Sequence, residues 1–91
     1  AQALAVLRKI QALLEAAGGG VHNITKLVVY VSDIAHKEAV GRARRDFFGE
    51  RLGAGAWPAS TLVAVQALVF PELVVEIDAF ARLDTDLRQA T

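Results

Sequence analysis

The 91-residue sequence contains no cysteine. That excludes a disulfide framework, a thiolate nucleophile and every cysteine-based zinc site. Methionine is also absent, and only two histidines occur, so a His-rich metal centre is not expected. Neither sign of charge is in excess, because ten Lys and Arg face ten Asp and Glu. A general nucleic-acid binder, or a protein held on an anionic membrane, would carry a basic excess. No apolar run approaches the roughly 18 residues of a membrane span, and no signal-peptide pattern opens the chain. What is present is apolar: 54% of residues are hydrophobic and 22% are charged. These proportions fit one small globular domain with core to spare, expected in the cytoplasm.

Ala3, Leu7, Ile10, Leu14 and Ala17 recur at steps of four and three and predict a helix over residues 1–17 with these on its inner face. No capping residue precedes it, so further residues upstream of Ala1 are expected. Gly18, Gly19 and Gly20 close the helix; a phosphate-cradling loop would lie before a helix rather than after one. Residues 24–31 are rich in β-branched types with Lys26 as the only charge, which predicts a strand covered on both faces. Ser32 and Asp33 stop that strand and cap a second helix over 34–50, with Val40, Ala43 and Phe47 inward and Phe48 alongside. Gly53 and Gly55 form a loop.

Residues 59–66 read as a second strand, in which Thr61, Val63 and Val65 alternate with Ser60, Leu62, Ala64 and Gln66. Residues 73–81 read as a third. There Leu73, Val75, Ile77, Ala79 and Ala81 share the face suited to packing under helices, and Val74, Glu76, Asp78 and Phe80 share the other. The polar tail, 82–91, receives no assigned structure. The strand–helix–strand unit has the length of a crossover, which implies parallel pairing of the first two strands. The short link at Phe70 and Pro71 predicts that the last two strands are antiparallel neighbours. The architecture expected is α+β: a mixed sheet with two helices on one face. Three strands leave the second face open, with Leu62, Val74 and Phe80 expected among its apolar residues, and such a face marks a subunit interface.

Several residues invite a chemical reading. Ser32, Asp33 and His36 contain the ingredients of a catalytic triad, but triads assemble from distant segments, so these read as capping groups. His22 in its Gly-rich turn reads as a solvated loop histidine. Arg42, Arg44 and Arg45, near Asp46 and Glu50, read as a solvated helix face. Glu76 stands out, because a strand interior is a costly place for a carboxylate unless it meets partners or a water-lined cleft. In a cleft it can act as a general acid or base. Periodicity alone leaves open whether it lies there, on an exposed sheet face or in a subunit ion pair.

Four segments in order, LEAAGGGVHNITKLVVYVSD, AVGRARRDFFGE, PASTLVAVQAL and LVVEIDAFA, resemble the RidA/YjgF family of reactive-intermediate deaminases from about Leu4 to Ala81. The resemblance implies a chorismate-mutase-like fold, one domain over residues 1–81 without the family's first two strands, and a C-terminal tail over 82–91. It also implies a homotrimer whose intersubunit clefts hydrolyse 2-imino or 2-enamino acids to 2-keto acids and ammonia, with no metal and no organic cofactor. Glu76 stands at the position of the family's water-activating carboxylate. Ser60 stands where the deaminases carry an arginine that clamps the substrate carboxylate, with Thr61 and Leu62 beside it as further substrate contacts. Gly41 replaces an asparagine common in the second helix.

The sequence therefore resembles a divergent subgroup that lacks this arginine. Simple 2-imino acids are expected to be poor substrates unless an arginine from elsewhere, such as Arg42 or Arg45 of a neighbouring subunit, enters the cleft. The expected function is imine or enamine hydrolysis with Glu76 catalytic and Ser60, Thr61 and Leu62 binding a small molecule, without nucleic-acid or membrane partners. The alternative is a non-catalytic metabolite-binding or regulatory module of the same fold. An older family label, endoribonuclease or translation inhibitor, finds neither a basic excess nor a histidine acid–base pair to support it.

Overall fold

The computed structural model describes residues 2–53 and 56–89. Helix α1 (Gln2–Ala16) is followed by a 3-10 turn (Val21–Asn23) and strand β1 (Ile24–Val31). A second 3-10 turn (Ile34–His36) runs into α2 (Lys37–Leu52), then β2 (Ala59–Ala64), β3 (Val75–Ala81) and a last 3-10 turn (Leu87–Gln89). The order of strands in the sheet is β2-β1-β3, with β2 parallel and β3 antiparallel to β1. Both helices pack against the same face, so the fold is α+β as expected.

The predicted neighbour relation of the last two strands is wrong. β3 pairs with β1, not with β2. The link between them contains residues 65–74, longer than a hairpin turn, with a turn in which the Leu73 amide donates to the Phe70 carbonyl. That length lets the chain pass from one edge of the sheet to the other. β1 takes the centre because its inward side chains Ile24, Leu27, Val29 and Val31 are all buried, whereas β2 is exposed at every residue but Leu62. A central strand satisfies its backbone on both edges, which suits the most apolar segment.

Other boundaries move for local reasons. β2 ends at Ala64 rather than 66, and β3 begins at Val75 rather than 73. The second helix is preceded by a separate 3-10 turn, capped when Asp33 Oδ1 accepts the Ala35 amide at 2.9 Å. Ala17 is exposed rather than inward, because α1 has ended and Gly18 turns the chain at φ 90°, a conformation only glycine adopts at no steric cost. Ala1 and Gly55 lie outside the described residues. β1 is covered by helices on one face only; Val28 and Tyr30 are half-buried and Lys26 is exposed on the other.

Phe47, Phe48 and Leu7 centre the core, each 1% exposed or less, and the two phenyl rings meet edge to face at 5.1 Å. Burying side chains of this size contributes roughly 1.5–3 kcal/mol each. Arg51 ties the helices together: its Nε donates to Gln11 Oε1 at 2.8 Å while its guanidinium lies 3.9 Å over the Phe47 ring. The Gln2 side chain bridges the start of α1 to the entry of β3, donating to the Glu72 carbonyl and accepting from the Val74 amide, both at 2.9 Å.

The tail is better anchored than its polarity suggests. Asn23, 3% exposed, accepts the Gly20 amide and donates to the carbonyls of Leu83 and Thr85. A Cβ at Gly19 would collide with the Asn23 side chain and Leu83, so glycine there permits this close approach. Arg82–Asp84 and Arg88–Asp86 are ion-paired at 2.9 and 2.8 Å. No helix among the described residues is long and apolar enough to cross a membrane.

Candidate functional site

The sheet register divides the four site residues expected from the sequence. Ser60 and Leu62 are paired with Leu27 and Val29, whose side chains are buried on the helix side. Thr61 is paired with Val28, and Glu76 and Asp78 are opposite Tyr30 and Val28 on the helix-free face. Paired residues in a sheet share a face. Ser60 and Glu76 of one chain therefore point to opposite sides of the sheet. Leu62 also belongs to the helix side, packed on the core, which corrects its placement on the open face. Val74 is half-buried at the strand entry, and Phe80 alone of that trio is a strongly exposed apolar residue, at 54%.

On the helix-free face, the Tyr30 hydroxyl donates to Asp78 Oδ2 at 3.2 Å. Partial desolvation, this hydrogen bond and the charges of Asp78 and then Glu76 hold the Tyr30 phenol above its ordinary pKa. Asp78 thus has a partner. Glu76 is exposed and makes no side-chain hydrogen bond among the described residues, which leaves its carboxylate available to water or to a ligand. Periodicity on β3 found both carboxylates; the role of Tyr30 escaped it, since nothing local couples residue 30 to residue 78.

On the other side, a groove of about 600 Å³ runs between α2 and the edge strand β2. Val29, Val40 and Leu62 supply apolar surface, Ser60 lies at its edge, and Lys37, Arg42, Arg44 and Arg45 surround it with Glu38 as the one carboxylate. The arginines read from the sequence as a solvated face do reach solvent, but they also line the same groove as Ser60. The signal for this was available in the crossover: the helix joining two parallel strands must lie over that pair. A second groove, about 530 Å³, lies between Ile10, Leu13 and Leu14 of α1 and the free edge of β3.

The remaining candidates separate. Asp33 is a cap, as described, and His36 opens α2. His22 is half-buried in the first 3-10 turn and close enough to act electrostatically on Asp86. Among the described residues, no three His, Asp or Glu side chains are grouped to hold a metal ion.

This mixed sheet under two helices, with its carboxylates on the bare face, defines a recognisable class. The chain matches the model of the endoribonuclease L-PSP family over residues 1–83. It belongs to that family, which is the RidA/YjgF family. A protein of unknown function from Pseudomonas aeruginosa is 63% identical, with a TM-score of 0.91 over 98% of this chain and 61% of its own. The YjgF gene product of Escherichia coli is 34% identical, with a TM-score of 0.78 over 88% of this chain and 61% of its own. TdcF of E. coli, solved with bound serine, is 29% identical, with a TM-score of 0.78 over 88% of this chain and 61% of its own. The chain thus spans about three fifths of the length of these solved relatives. No match is found among curated proteins.

Proposed function

We propose that the protein acts as a cytoplasmic homotrimer that binds a small molecule in clefts between subunits and hydrolyses an imine or enamine there. The observation that carries this reading is the position of Glu76: an exposed carboxylate on the helix-free face, beside an Asp78 already engaged by Tyr30. In the reaction, Glu76 takes a proton from water as the water oxygen bonds to the imine carbon. The proton passes to the nitrogen to give a carbinolamine; the hydroxyl proton then moves to the nitrogen through Glu76 as the C–N bond breaks, leaving a carbonyl and ammonia. No metal or organic cofactor is assigned a part.

The division of Ser60 and Glu76 between opposite faces supports a cleft built by two copies, since one chain alone cannot direct both into a single pocket. The bound serine of TdcF supports an amino-acid-sized ligand. Exposed Phe80, Val63 and Leu13 support burial of apolar surface in an assembly. The residues over 1–81 then act as one domain and 82–89 as its strap.

Ser60 in place of the family's arginine favours one second reading, a non-catalytic metabolite-binding module. Ammonia release from freshly generated imines, wild type against Glu76→Gln, separates the two. Loss of turnover in Glu76→Gln with unchanged thermal stability supports catalysis. Background-level release by both proteins removes the enzyme reading.

A further inference from the structure

We propose that the groove between α2 and β2 is a binding site for a small organic molecule bearing a doubly charged oxyanion, a phosphate monoester or a dicarboxylate. The chain as a whole is neutral, yet this groove gathers Lys37, Arg42, Arg44 and Arg45 around a single carboxylate, Glu38. Of the other acidic residues, Asp46 and Glu50 follow the arginines on α2 without lining the groove, and Glu76, Asp78, Asp84 and Asp86 lie on the opposite sheet face and in the tail.

None of the three arginines forms an ion pair or donates a side-chain hydrogen bond among the described residues, in contrast to Arg51, Arg82 and Arg88. Arg44 is half-buried in this state. A partly desolvated guanidinium without a partner is costly, and clustered like charges add to that cost. Both costs are relieved by a bound anion, which the planar forks of arginine hold through paired hydrogen bonds. Arg45 is also placed by its own helix. A Cβ at residue 41 would stand 3.3 Å from Arg45 Nη1, so the guanidinium rests back against its own helix at Gly41, which lines the groove with it. The apolar surface of Val29, Val40 and Leu62 fits an organic body attached to the charged group rather than a bare ion.

This inference deepens the cleft reading and rests on it, since Ser60 and Leu62, which line the groove, are residues that reading assigns to the ligand. Cations of the same chain then stand beside the residue that carries no charge, so the ligand can be anionic without the arginine at position 60.

The test is calorimetric titration of the protein with phenyl phosphate, inorganic phosphate and succinate at low salt. We expect saturable binding of phenyl phosphate or succinate, the tighter of the two assigning the phosphate or dicarboxylate class, and weaker binding of inorganic phosphate. Arg42→Gln with Arg45→Gln should weaken it about tenfold or more, Arg45→Lys should retain part of it, and Arg8→Gln on α1 should leave it unchanged. Raising salt to about 0.5 M should weaken it as well, because exposed charges are screened. Equal affinity in wild type and the double variant overturns the proposal, and so does the absence of binding at millimolar ligand. Binding of single-stranded RNA that the double variant abolishes, without binding of either small anion, assigns the groove to nucleic acid and equally overturns it. Because binding is read without turnover, anion binding in a protein inert toward imines removes the deaminase reading alone. Imine turnover untouched by the double variant, without anion binding, removes the groove alone.

Discussion

The two faces of the sheet are built from the same three strands and obey different rules. Toward the helices, β1 and β3 present Leu27, Val29, Val31 and Val75, all buried, against Phe47, Phe48 and Leu7. Away from them, the same strands present Lys26, Tyr30, Glu76, Asp78 and Phe80, none of them buried. A single alternation of side chains generates both faces. One face stores stability. The other carries titratable groups that a core would not tolerate. Stability and chemistry are thus separated by one residue's step along each strand, and substitutions should report which side they touch.

The sharpest break is between two phenylalanines. Phe48→Ala removes a fully buried ring from under α2 and should cost about 3–5 kcal/mol in urea unfolding. Phe80→Ala on the bare face should change stability by less than about 0.5 kcal/mol in a monomeric chain. A large loss at Phe80 that grows with dilution would instead reveal that the bare face is covered in an assembly.

Asn23 tests whether the tail belongs to the packed side. Asn23→Ala leaves the Gly20 amide and the carbonyls of Leu83 and Thr85 without their partner and should cost about 1–3 kcal/mol. Faster hydrogen exchange at Thr85 and Arg88 would accompany it. Gly41→Ala acts in the opposite direction. A glycine in a helix interior costs about 0.5–1 kcal/mol relative to alanine, and the flexible end of Arg45 can yield to the new methyl. Thermal melting should therefore show a modest gain.

The smallest effect concerns acid. The Arg88 guanidinium, hydrogen-bonded to Asp86, holds its carboxyl at about 2, below the usual value of 3.8. A depressed folded-state pKa contributes stability that is present above the unfolded value and is lost as pH falls through the folded one. The strap over 82–89 should thus loosen between about pH 4 and 2, seen as rising exchange there. In Asp86→Asn that pH dependence should shrink, leaving the part due to Asp84, whose carboxyl the Arg82 guanidinium also holds below its ordinary value. A strap that loosened on the alkaline side of this window would contradict the assignment.

Much of the packed face is legible in the sequence because a single period governs it. Ala3 and Leu7 on α1, Val40, Phe47 and Phe48 on α2, and Val75 on β3 follow from helical and strand spacing, and all are buried. Glu76 is found by the same means, as the odd carboxylate in an apolar strand. What spacing cannot find is whatever depends on the order of strands. β3 beside β1 rather than β2, Tyr30 meeting Asp78, and Arg42 and Arg45 sharing a groove with Ser60 all join segments distant in the chain. Ser60 and Thr61 are adjacent residues of one motif, and only the register reveals that they point to opposite faces. Asn23 was unremarkable in a Gly-rich turn because its partners lie some sixty residues on.

The central place of β1 has a kinetic consequence. No two of the described strands are joined by a hairpin, so none of their pairings forms by local closure, and each must await a long loop. Folding is expected to be slow for a chain of this size, limited by the search for non-local partners. During synthesis the constraint is directional. Among the described strands, Ile24–Val31 is made before both of its partners, gaining β2 only after α2 is complete and β3 only when Ala81 has left the ribosome. For that interval the most β-prone segment of the chain is an unpaired strand, open to pairing with any other such segment nearby.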